Sequence, residues 1–251
     1  MARARSVPGR LVLLLLASAT ALHAQADTTV HRPPLAVAAL RPGIFVYETS
    51  LERDASTTPL GTRTVNVSQS PIAGSPAWLL LETRTGDAVP GADSLYVDPT
   101  TLHPMHWSST IGQAKLAAEF QGDTVYAGAS APQGRRSVIG AVPPRTIVST
   151  AMLETVLRLL PLQPAWEDSA TTLSLSLSGL ALYPTRIAVI GEDRVHVGAG
   201  DFDCWVVSVH TDVSRGLFWV TKQDPIVVRS TLDVPSLGGA QYVSSLARIA
   251  R

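Results

Sequence analysis

The chain is 251 residues long, with 20 basic and 20 acidic side chains, 45% hydrophobic residues and one cysteine. Balanced charge without basic blocks excludes the electrostatic footprint of a nucleic-acid binder, and a lone cysteine excludes an internal disulfide framework. Stability therefore has to come from a packed core, for which the length provides one sizeable domain.

The N-terminus, MARARSVPGRLVLLLLASATALHAQA, combines Arg3, Arg5 and Arg10 with an apolar run from Leu11 to Ala17 and a small-x-small site at Ala24-Gln25-Ala26. This is the pattern of a secretory signal peptide over 1–26, its apolar part far shorter than a bilayer span. No cysteine follows the run, so a lipoprotein's acyl anchor has no attachment point. The expectation is an exported protein, periplasmic or extracellular, soluble after cleavage and without a transmembrane span. Losing three arginines and no acids leaves it slightly acidic, with 17 basic and 20 acidic residues.

Residues 27–40, with Pro33-Pro34 and no clear period, read as a leader to a single β-rich domain over 41–251. From Gly43 onward, short apolar or alternating runs are punctuated by Gly, Pro, Asp and Ser, the all-β signature. Strands are predicted over 44–52, 62–68, 77–84, 94–98, 104–111, 115–121, 124–129 and 136–141. A second set is predicted over 171–178, 185–190, 194–197, 202–211, 216–221, 226–233 and 240–249. Between the two sets, residues 149–160 place Met152, Leu153, Val156, Leu157, Leu159 and Leu160 at helical spacing, with Ser149 or Thr150 as cap, Glu154 in the first turns and Pro161 as stop. A helix this short needs a partner, so it is expected to pack on the sheet.

An internal echo links the two sets. "AWLLLET" (77–83) followed by "SLYVDPTTLHPMHW" (94–107) matches in order "CWVVSVHT" (204–211) followed by "SRGLFWVTKQDPIVVR" (214–229). Trp205 answers Trp78, and Cys204 answers Ala77, so the cysteine position asks for a small side chain rather than a nucleophile. The echo predicts a duplicated meander. A turn centred on Ala199-Gly200 would gather Val195, Val197, Phe202, Cys204 and Val206 on a core face, with Trp205, Val207 and Val209 opposite. Strands apolar on both faces are covered on both. The expected architecture is one strongly curved antiparallel sheet, a half-barrel or barrel, with the 149–160 helix against it.

The runs "VHVGAGDFDCWVV" (195–207), "GLFWVTKQDPIVVR" (216–229) and "VDPTTLHPM" (97–105) resemble an exported, β-rich domain-of-unknown-function family of Gram-negative bacteria. More distantly, the curved sheet with a helix between its halves resembles the periplasmic lipoprotein carriers. That second resemblance implies an open barrel with an apolar cavity for acyl chains and places no catalytic motif on these residues.

Sharper chemistry finds little support in the residues. Asp201 and Asp203 would raise the thiol pKa of Cys204, which argues for a buried structural cysteine. The two acids share a strand face but read as solvated groups at a hairpin mouth. His103 and His106 mimic a zinc spacing, yet Pro104 and a strand put them on opposite faces. His196 could pair with Asp203, but no serine stands in a nucleophile elbow. "SLGGAQ" (236–241) lacks the Lys-Ser/Thr of a phosphate loop. No catalytic residue, metal ligand set or cofactor is expected. The residues assigned to a ligand are Trp78, Leu79, Trp205, Val206 and Trp219, lining a lumen between the duplicated strands; packing in the core is the competing role of the tryptophans. The leading function is a non-enzymatic envelope protein binding an apolar or lipid-like ligand. The alternatives are an interaction module built on sheet edges and, third, a hydrolase or metal enzyme whose site comes together from distant loops.

Overall fold

The computed structural model describes residues 35–86, 90–176, 178–234 and 238–250. The expected signal peptide and residues 27–34 of the leader lie outside that set. The described residues form fifteen strands and one α-helix. The strands before the helix are β1 (Gly43–Arg53), β2 (Ser56–Gln69), β3 (Trp78–Thr85), β4 (Gly91–Val97), β5 (Pro104–Ile111), β6 (Ala114–Gln121), β7 (Thr124–Ala131), β8 (Gly134–Ala141) and β9 (Thr146–Ile147). After the helix α1 (Thr150–Leu157) come β10 (Glu167–Ser176), β11 (Gly179–Val197), β12 (Gly200–His210), β13 (Arg215–Thr221), β14 (Val227–Val234) and β15 (Ala240–Ala250).

All strands belong to one open sheet in the order β8-β7-β6-β5-β4-β3-β2-β1-β15-β14-β13-β12-β11-β10-β9. Each half is a meander, and the first and last strands join them at a central antiparallel seam. Only β9 pairs in parallel, with β10. The sheet is not hydrogen-bonded into a closed barrel, yet it curls enough to bring its far parts together. Arg136 on β8 donates to the Ser178 carbonyl, and Gly140 lies against Leu180 of β11. The mostly β, strongly curved sheet with a single helix agrees with the sequence reading.

Two-residue turns keep the first meander tight. Gly112 and Gly122 open the turns after β5 and β6 at φ of 56° and 55°, a left-handed conformation that costs glycine nothing. The resulting register lines up one unbroken row across seven strands: Val67, Leu80, Leu95, Trp107, Ala118, Ala127 and Val138. Every member is buried or packed against the core. Helix α1 covers this inner face. Its cap is Ser149, whose Oγ accepts from the Met152 N–H at 3.1 Å, and Ala151, Met152, Val156 and Leu157 are buried. The helix ends at Leu157 rather than residue 160, because the chain tightens toward Pro161 while Leu159 and Leu160 stay buried.

Four details differ from the sequence reading. The leader already contributes to the core, since Val37 and Leu40 are buried and the Ala36 N–H donates to the Leu159 carbonyl. The predicted strands 185–190 and 194–197 are one strand, because a bulge absorbs Ile190 and the ladder continues past Gly191. The turn after β11 is centred on Gly198-Ala199, so Val195 pairs with Phe202 and Asp193 with Cys204. Docking fixes that turn: Ala199 N–H donates to the Leu246 carbonyl, and Gly198 abuts the Ala247 backbone. Finally, β12 buries both faces in sequence, Cys204 through one and Val207 and Val209 through the other, while Val206 is only half-buried.

Candidate ligand cavity and the buried ion cluster

Beneath one side of α1 lies a cavity of about 220 Å³. Met152, Val156 and Leu160 supply its roof, Ile147, Ala170 and Ile187 its sheet wall, and Leu35 and Leu102 its remaining apolar surface. Polar groups stand at its edge. Arg145 donates to the Asp168 carboxylate, whose other oxygen accepts from the Ser169 N–H at 2.8 Å. His103 presents Nε2 to the Gly122 carbonyl at 3.0 Å. The turn that carries Leu102 and His103 is built by Asp98, which accepts from the backbone and hydroxyls of Thr100 and Thr101. The Thr100 hydroxyl contributes most to holding the Asp98 carboxyl down at about 2. The turn places Leu102 at φ 58°, a conformation leucine seldom adopts, and its buried side chain offsets that cost.

A charged cluster fixes the helix to the sheet. Arg63 on β2 donates through both terminal nitrogens to Glu154 on α1, at 2.7 and 2.9 Å, and its Nη2 lies 2.9 Å from Glu82 of β3. Arg84 and Asp93 extend the cluster toward solvent at 3.0 Å. Arg63, Glu82 and Glu154 are each less than 5% exposed. Burial alone would lower the Arg63 pKa, but Glu154 and Glu82 together hold it well above its ordinary value. Burial pushes the Glu154 carboxyl up, with Arg63 opposing that shift. The Tyr47 ring packs under the guanidinium, 5.1 Å away, and donates its hydroxyl to the Val227 carbonyl at 3.0 Å. The sequence held one signal for this cluster: Arg63 shares the strand face of Val65 and Val67, so a charge sits in an otherwise apolar register. Glu154, read as a first-turn acid, is instead the buried partner.

The five residues assigned to a ligand lie elsewhere. Trp78 is buried in the core, while Leu79, Trp205, Val206 and Trp219 are half-buried. Trp205 stacks under Lys222 at 4.4 Å, and Trp219 lies under Arg229 and donates Nε1 to Asp193 at 3.0 Å. None of the five lines the cavity under α1. Aromatic burial against the sheet and cation stacking occupy the tryptophans.

The other singled-out groups also have partners. His196 contacts Asp201 at 2.8 Å, not Asp203, as the corrected register requires. His106 contacts Glu119 at 2.6 Å, away from His103's partner. The Cys204 thiol is fully buried, 3.6 Å from the Phe202 carbonyl, and burial, then Asp193 and Asp203, push its pKa up to about 11. The lining of the cavity comes from the leader end, the 98–103 turn, the segment around β9, α1, β10 and β11. No spacing in the sequence announces such an assembly.

Residues 46–240 match a family described as "Protein of unknown function (DUF3108)". Among solved structures, the chain is similar to one from Bacteroides fragilis described as a putative exported protein with a YmcC-like fold. The identity is 13% and the TM-score 0.31, over 88% of this chain and 98% of that one. No curated protein matches the chain.

Proposed function

The chain belongs to the DUF3108 family, whose description assigns no activity, and from the cavity under α1 we propose that it is an exported protein holding an apolar or lipid-like ligand without turning it over. Export rests on the N-terminal charge, apolar run and small-residue site. The observation that carries the ligand is the aliphatic cavity, walled by Ile147, Met152, Val156, Leu160 and Ile187, with the Arg145–Asp168 ion pair at its edge. At about 220 Å³ it exceeds the ~150 Å³ cavity that takes up benzene and falls short of the ~300–1,000 Å³ of drug-sized sites. Its size suits one short acyl segment or branched chain end, with a polar head left at the Arg145–Asp168 edge.

Calorimetric titration with decanoic acid tests this. Saturable binding is expected, and Met152→Trp should abolish it at a stability loss of no more than ~1–3 kcal/mol, because the ring fills space reserved for the chain. If decanoate gives no saturable heat and Met152→Trp only destabilises, the cavity is a packing feature. The interaction-module reading then takes its place.

A further inference from the structure

On the sheet face opposite the core, register builds a second site. The core row Val189, Val207, Phe218, Ser230, Ser244 is followed by the row Ala188, Ser208, Leu217, Thr231, Val243, which must face the other way. Two residues further along the strands, and so on the same face as Ala188 and Ser208, Arg186 pairs with His210 and His210 with Arg215. Ala188, Ser208, Leu217 and Thr231 of the first row, the Arg186–His210–Arg215 row and Ile190 line an open trough of about 600 Å³. Thr231 is buried at its base, Ala188, Ser208 and Leu217 are half-buried, and Arg186, His210 and Arg215 stand exposed along one side.

The charged row is unbalanced. Arg186 is shared with Glu167 at 2.6 Å, an exposed pair. His210 and Arg215 have no hydrogen-bond or ion-pair partner among the described residues. Asp233 closes the far end of the trough but accepts from Gln241 at 3.1 Å. Arg186 and Arg215 flank His210 from either side, so two guanidinium charges lie on one face within three neighbouring strands, and an anion seated between them would offset their repulsion. Adjacent strands are about 5 Å apart, so one phosphate or carboxylate group can receive donors from two neighbours in the row. Asp233 repels an anion, which places the head at the β11–β12–β13 end. Leu217, Ala188 and Ile190 then offer apolar surface beside it.

We propose that the Arg186–His210–Arg215 trough binds the phosphate or carboxylate head of a small amphiphile, at a site separate from the cavity under the helix. Octyl phosphate is the probe, inorganic phosphate the head-only control. Calorimetry should give saturable octyl phosphate binding, tighter than inorganic phosphate. Arg215→Gln and His210→Gln should each weaken it, the arginine by about tenfold or more, as expected for a lost charge-assisted hydrogen bond. Both side chains are exposed, so thermal melts should match the parent. Arg135→Gln, which removes an exposed arginine on β8, should leave binding unchanged. Sedimentation with phosphatidylglycerol vesicles, lost in Arg215→Gln, would assign the head to a membrane lipid; octyl phosphate binding without vesicle binding would assign it to a soluble monoester. No saturable octyl phosphate binding, or equal weakening by Arg135→Gln and Arg215→Gln, overturns the proposal.

Discussion

With its pKa raised to about 11 and its side chain sealed from solvent, the Cys204 thiol stays protonated and out of reach at neutral pH. Maleimide should therefore leave the folded protein unlabelled and modify it promptly in denaturant. Rapid labelling of the folded state would show that the hairpin opens. Cys204→Ala should fold at a cost of about 1 kcal/mol or somewhat more, since Ala77 fills the answering position in the first meander and is also buried. Asp98 carries a pH dependence of opposite origin. Its carboxyl, depressed to about 2, favours the folded state fully above the unfolded value near 3.9; the benefit is lost as pH falls through the folded one. Stability of the parent should drop across that acid window more than stability of Asp98→Asn, as measured by urea melts at pH 5 and pH 2. Equal drops would mean that the turn does not depend on the charge.

Helix α1 is held as much by charge as by oil. Removing Arg63 strands Glu154 and deprives Glu82 of its buried partner, so Arg63→Met should cost about 3–5 kcal/mol, the range for breaking a buried ion pair. Arg84→Met touches the solvent-side end of the same cluster and should cost about 1 kcal/mol or less. Similar denaturation midpoints for the two variants would show that the helix does not rely on the cluster. The elements themselves were legible wherever alternation was clean: the predicted 104–111 coincides with β5, and most other strands agree within a few residues. Legibility failed where punctuation misled. Gly191-Glu192-Asp193 has turn composition, yet the partner strand β12 runs straight past it, and hydrogen bonding to that neighbour outweighs the local preference. The short β9 has no pattern of its own and exists because β10 offers it an edge.

At the scale of the molecule, the sequence conveyed the curved β architecture but not which surfaces are hollow. Trp78 and Trp205 sit at answering places in the echo, and one is buried while the other is half-covered by Lys222. Their surroundings depend on where the curled sheet meets the helix. That meeting joins residues tens of positions apart, such as Arg63 and Glu154, and alternation within one strand carries no information about it. Sheet edges, by contrast, can be read: β8 ends the order and carries Arg135 and Arg136, charges that discourage another strand from adding on.

The β1–β15 seam sets an order of events. Within each meander, neighbours in the sheet are neighbours in the chain, so both halves can zip by local contacts, which is the fast route. Among the strand pairings of the described residues, the seam is the one that links the beginning of the domain to its end, and it cannot close until the last strand has emerged. A chain emerging from the ribosome N-terminus first holds the β15-facing edge of β1 bare until synthesis ends, exposed to any strand it meets. Truncation after residue 239 freezes that stage, removing β15 and baring both β1 and β14. Such a protein should elute as aggregates on size-exclusion chromatography and lose its cooperative melt, whereas a soluble, cooperatively melting monomer would show that each meander stands without the seam.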